Sequence, residues 1–94
     1  MRKGTKIPLG PYVYRQRWVS QATLGDDRYA DCDFDARCIR LCDTTDHTRA
    51  VENLLHEVVE AINETCELDL AHWKINVLGL YLAQGVGHLI RRWW

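Results

Sequence analysis

Val51-Glu52-Asn53-Leu54-Leu55-His56-Glu57-Val58-Val59-Glu60-Ala61-Ile62 is the stretch on which the reading of this chain turns. Val51, Leu54, Leu55, Val58, Val59 and Ile62 recur at spacings of three and four, so at about 100° per residue they form one apolar stripe along a helix. His56, Glu57 and Glu60 fall on the other side. Immediately upstream, Asp43-Thr44-Thr45-Asp46 is a run of N-cap residue types, whose side-chain oxygens accept from the free N–H groups of a first turn. A helix is therefore expected from roughly Asp46 to Thr65.

Upstream, Tyr12 to Val19 alternates in period two and is rich in β-branched and aromatic residues, which predicts a strand. The prolines and glycines of the first eleven residues read as an extended arm leading into it, and Ser20 to Asp27, with Gly25-Asp26-Asp27, reads as a loop. Tyr29 to Cys32 and Arg37 to Leu41 flank the polar tip Asp33-Phe34-Asp35 as a hairpin, with Arg37 to Leu41 taken as an edge strand. A second helix is expected from about Leu70 to Ala83, antiparallel to the first. It would carry Leu70, Trp73, Val77, Leu80 and Tyr81 on one side and end near Gly85 or Gly87. The elements add up to an α+β domain, a small antiparallel sheet of about three strands packed against two helices.

At 94 residues this is one domain, residues 1–94, and a multidomain enzyme is excluded. Twelve Lys and Arg against thirteen Asp and Glu give no basic field for a polyanion, so no nucleic-acid partner is expected. The longest apolar stretch, Val77 to Gly87, is interrupted by Gly79, Gln84 and Gly85 and falls short of the roughly 20 residues of a membrane span, so no membrane partner is expected either. Met1-Arg2-Lys3 is followed by no apolar segment of a signal peptide, which makes the cytoplasm the expected location and reduced thiols the expected state of Cys32, Cys38, Cys42 and Cys66.

The chemistry-bearing face is that of His56 and Glu60, one helical turn apart. An i, i+4 pair of imidazole and carboxylate can grip one metal ion, both groups being zinc ligands at about 2.0–2.2 Å. A third ligand must come from elsewhere: His72, near the start of the second helix, stands first, with Glu64 and His88 behind it. The same face also reads simply as a solvated helix surface.

The order of strand, hairpin and polar loop, followed by Leu54-Leu55-His56-Glu57-Val58-Val59-Glu60-Ala61-Ile62, resembles the minimal core of zincin metallopeptidases, small members of which are often phage-encoded. Their active-site helix carries H-E-x-x-H. The resemblance implies that His56 is the first zinc ligand, that Glu57 is the general base on a metal-bound water, and that an edge strand holds the substrate backbone. Glu60 stands where the second histidine belongs. That departure leaves the spacing intact but substitutes an anionic oxygen, giving a set of His56, Glu60 and His72 that suits Zn2+ or another divalent metal and implies a weak or absent peptidase activity.

Two further readings remain. Cys32, Cys38, Cys42 and His47 offer four soft ligands for a structural zinc, without knuckle spacing. Alternatively, the chain is a small partner-binding module without metal, a phage accessory protein acting on a host protein. Its contact surface would draw on Arg15, Arg17 and Trp18 and on the terminal Arg91-Arg92-Trp93-Trp94, arginine and tryptophan being hot-spot residues. In both functional readings the partner is a peptide or protein.

Overall fold

The computed structural model describes residues 4–93, and of residues 91–93 only the helical backbone. The elements run β1 (Thr5–Leu9), β2 (Tyr12–Val19), α1 (Gln21–Leu24), β3 (Ala30–Asp33), β4 (Cys38–Cys42), α2 (His47–Cys66) and α3 (His72–Trp93). The fold is α+β, a four-stranded sheet covered by α2, with α3 packed against α2. The first strand is part of the stretch read as an extended arm, and it pairs with β2 through the two-residue turn Gly10-Pro11. Gly10 supplies the left-handed backbone, at φ +60°, that this turn needs. A single helical turn, α1, capped by the Ser20 side chain, occupies part of the predicted loop.

Sheet order is β1-β2-β4-β3. The β3–β4 hairpin forms as expected, but β4 inserts between β3 and β2 and pairs with β2 in parallel, so the sheet is mixed. Consequently Arg37 to Leu41 does not supply an edge: β4 is an inner strand, and the free edge on that side is β3. Register also separates the cysteines. Cys32 lies opposite Ile39, on the face toward α2, whereas Cys38 lies opposite Asp33, on the other face, so the two cannot ligate one ion and the cysteine zinc site is excluded. All four cysteines are free thiols.

Helix α2 begins where the cap cluster predicts, with the Asp46 side chain accepting from the Arg49 N–H. Its stripe is shared between two layers. Leu54, Val58 and Ala61 meet Tyr14, Ile39 and Leu41 of the sheet, while Val51 and Leu55 meet Ala83 of α3. Tyr14 also reaches Thr65 through its hydroxyl, at 3.4 Å, closing the far end of the sheet on α2.

Helix α3 departs from its predicted form. It runs on through Gly85 and Gly87 to Trp93, beyond the predicted end, and of the residues read as sharing one side Trp73, Val77, Leu80 and Tyr81 are exposed. The residues that face α2 are Ile75, Gly79, Ala83 and Gly87, a four-residue period of mostly small side chains. Close backbone approach is the reason, because a Cβ at Gly87 would lie 3.1 Å from Val51 Cγ1. Contacts pairing Gly79 with His56 and Gly87 with Val51 fix the two helices as antiparallel. Among the described residues, no helix is long and apolar enough to cross a membrane. Trp93 and Trp94, with Arg91 and Arg92, were assigned a contact role from sequence; their side chains lie outside the described residues.

Candidate metal centre

The centre of α2 and the first turn of α3 meet at His56, Glu60 and His72. Helical spacing puts His56 and Glu60 on adjacent turns, with His56 Nε2 at 3.6 Å from Glu60 Oε1. His72 Nδ1 reaches the same oxygen at 3.7 Å. The two imidazoles stand edge to face, with ring centroids 5.8 Å apart.

Two features missed in the sequence deliver His72 to this point. Asn63 organises the connection between the helices: its backbone carbonyl accepts from the Glu67 and Leu68 N–H groups, and its side-chain oxygen accepts from the Leu70 N–H at 2.8 Å. Glu67 and Asp69 take left-handed backbone conformations, at φ 52° and 54°, which turn the chain back within five residues. Gly79 then seats α3 on α2. A side chain there would come within 3.1 Å of His56 Cα, so glycine is what allows the helix carrying His72 to lie against His56. Signals for both were present, as an Asn one turn from a helix end and as a glycine inside an apolar helical run, but their role depends on the partner each meets.

The site is sheltered on one side and open on the other. The side chains of His56 and Glu60 are 30% and 23% exposed, that of His72 73%. Burial holds the His56 imidazole below its ordinary pKa, against an opposing pull from Glu60 and with a further push from His72. Such a histidine presents a neutral nitrogen near pH 7.

Glu57 is not on a solvated face. It is buried, at 8% exposure, between α2 and the β3 edge, and its pKa is pushed up to about 7. Burial is the main cause, with the charges of Glu60 and Asp31 adding to it and Arg28 opposing. The Cys32 thiol on β3 is pushed up to about 12 by its own burial and by the nearby Glu57 and Glu60.

Donors around a tetrahedral zinc at about 2.0–2.1 Å stand about 3.4 Å apart. The Glu60 carboxylate is a few tenths of an ångström beyond that from each imidazole. Among the described residues no three His, Cys, Asp or Glu side chains are already closed on a common centre. The exposed His72 is the member free to complete such closure. The fallback ligands are elsewhere. Glu64 is exposed one turn beyond Glu60, and His88 lies sixteen residues past His72, about 24 Å along α3. No protein-family model, curated protein or solved structure matches the chain.

Proposed function

We propose that this domain is a zincin-like metal-binding protein that holds one divalent cation, zinc first among them, through His56, Glu60 and His72. Its peptidase activity would be weak or lost. The observation that carries the reading is the position of the Glu60 carboxylate, shared between two imidazoles from different helices, with Glu57 on the neighbouring turn beside a free strand edge.

In this reading a bound zinc supplies Lewis-acid polarisation and an acidified water. His56 and Glu60 provide a rigid half-site on one helix, and His72 completes it from the next. Glu57 holds or moves a proton at its carboxyl oxygen, its body fixed between α2 and β3. The β3 edge, Ala30–Asp33, offers free backbone donors and acceptors to an extended peptide, whether or not the peptide is cut. Glu60 would place negative charge beside a bound cation and so lower its Lewis acidity relative to a three-histidine site. Four free thiols fit a reducing compartment, the cytoplasm.

Metal analysis of the purified protein after dialysis tests this. One equivalent of zinc is expected, lost in His56→Ala and retained in Glu57→Gln. Stoichiometric metal in His56→Ala overturns the ligand set. Metal-dependent cleavage of a peptide that Glu57→Gln abolishes would make the protein an active enzyme; binding of the same peptide without cleavage would make it a metal-bound receptor.

A further inference from the structure

Helix α2 covers one face of the sheet and leaves the other open. Side chains alternate along each strand, so Tyr14, Ile39 and Leu41 turn toward α2 and the residues between them turn away. Helix α1 reaches this second face at Cys42, whose Sγ lies 3.5 Å from Gln21 Oε1. Register sorts the charges on it. Lys6 of β1 stands opposite Arg15 of β2, and Arg17 of β2 stands opposite Arg40 of β4. The strand acids of the same face, Asp31 and Asp33, are both on β3, at one border. Arg40 holds Asp31 through its Nε at 2.7 Å and through Nη2. Lys6, Arg15 and Arg17 are exposed, and among the described residues they make no ion pair.

Like charges directly opposite one another destabilise a sheet, because their Cβ atoms stand only about 4.5–5.5 Å apart. Basic residues on an edge strand keep foreign strands from pairing with it, but β2 and β4 are inner strands, so Arg17 against Arg40 serves no such purpose. We infer that this open face docks an acidic segment of a partner protein, whose carboxylates are held by Lys6, Arg15 and Arg17. A carboxylate seated between the members of each pair turns the repulsion into attraction. Arginine does this with two parallel N–H bonds, as Arg40 already does on Asp31.

Charge selects the occupant. A second copy offering the same face sets arginine against arginine, which excludes face-to-face self-association. Nucleic acids and anionic membranes bind in proportion to the phosphates neutralised, and membrane recognition takes clusters of about four to eight basic residues. Here the cations Lys6, Arg15, Arg17 and Arg40 share the face with Asp31 and Asp33, too small a surplus for a polyanion. Single-stranded nucleic acid also needs aromatic platforms for its bases. Tyr12, Tyr14 and Trp18 of β2 all turn toward α2, and the exposed Tyr29 stands beside Cys42, one row beyond the cations. A protein segment, by contrast, carries discrete carboxylates and can set a neutral or basic residue above Asp33. Arg15 and Arg17 are about 6.4–6.8 Å apart along β2, which matches alternate residues of an extended segment. The face lies across the sheet from α2, so the inference does not rest on the metal reading.

Fluorescence anisotropy of a fluorescein-labelled octaglutamate peptide against the full chain tests the inference, in low salt with a chelator that keeps the metal centre empty. Saturable binding is expected, with a dissociation constant of about 100 μM or less. Arg15→Glu and Arg17→Glu should each weaken it by roughly 10-fold or more. Arg17→Glu should also raise the melting temperature, because it sets an acid opposite Arg40 in place of a like charge. The uncharged double variant Arg15→Gln, Arg17→Gln should lose binding without melting lower. Lys74→Glu, at an exposed cation on α3, should leave binding unchanged. Absence of wild-type binding at about 1 mM overturns the proposal, as does binding that survives both arginine-to-glutamate substitutions. Lost binding together with a lower melting temperature in all three arginine variants makes these side chains structural and overturns it as well. Tighter binding of an eight-nucleotide oligothymidine, or of phosphatidylcholine–phosphatidylserine vesicles, gives the face to phosphates and overturns the acidic segment.

Discussion

Gly79 on α3 lies directly against the backbone of His56 on α2, where a single added carbon would stand 3.1 Å from the His56 Cα and 3.4 Å from its nitrogen. The contact joins packing to the candidate chemistry. The backbone at His56 is held within an α-helix and cannot yield as a flexible side chain does, so the distance between α2 and α3 at this level is set by the absence of a Cβ. His72 is two turns away on the same helix, and its approach to Glu60 depends on that distance.

Substituting Gly79→Val should therefore lower stability by about 1–3 kcal/mol through overpacking and weaken any metal affinity with it. Gly85→Ala is the matched contrast. Nothing lies near that position, and replacing an exposed helical glycine should raise stability by about 0.5–1 kcal/mol. Urea denaturation of both variants checks the pair. Equal effects would mean that α3 is not seated as described.

Glu57 makes stability pH-dependent in metal-free buffer. Its pKa rises from an ordinary 4.5 to about 7 on folding, chiefly through burial. Below pH 4.5 the carboxyl is protonated in folded and unfolded chains alike. Between those values the unfolded chain gives up a proton that the folded one keeps, so stability falls as pH rises, levelling off above 7. Glu57→Gln should thus gain on the order of 2 kcal/mol at pH 8 and nothing at pH 4. Thermal melts at the two pH values decide it; a gain of equal size at both would point to packing instead of ionisation.

Leu55 sits 7% exposed against Val51 and Ala83, at the seam of α2 and α3. Leu55→Asp places an unpaired carboxylate there and should cost more than about 4 kcal/mol, enough to unfold a domain of this size. A soluble variant with a normal melting temperature would contradict the packing of these helices.

The thiols should divide by environment. Cys66 ends α2 and is exposed, whereas Cys42 is fully buried and the half-buried Cys32 has its pKa pushed up to about 12. Because the thiolate is the reactive form, iodoacetamide at pH 8 should label Cys66 first and leave Cys32 and Cys42 unmodified in the native protein. Peptide mapping of the labelled chain reads this out, and early modification of Cys32 would contradict its burial beside Glu57.

Local signals carried most of the secondary structure. The cap cluster ending at Asp46 and the three-and-four spacing of Val51 to Val59 located α2 almost to the residue, and the alternation in Tyr12 to Val19 located β2. Both follow from the period of a single element and need no knowledge of its neighbours. The i, i+4 placement of His56 and Glu60 was legible for the same reason.

What lay between elements was not. Period alone could not say that β4 would slide between β2 and β3, because either order satisfies the alternation of Cys38 to Cys42; the edge offered to a peptide moved from one strand of the hairpin to the other with that choice. Nor could the apolar residues of α3 announce which side faces inward. A stripe of large side chains normally marks the buried face, but here the small stripe of Gly79, Ala83 and Gly87 allows closer backbone approach to α2, and the large residues are left outside. Sequence determined that His56 and Glu60 share a helical face. Only the tertiary structure, through the Asn63 turn and the glycine contact at His56, decided that His72 joins them and that Glu57 is buried, since both depend on distances between residues that the chain separates.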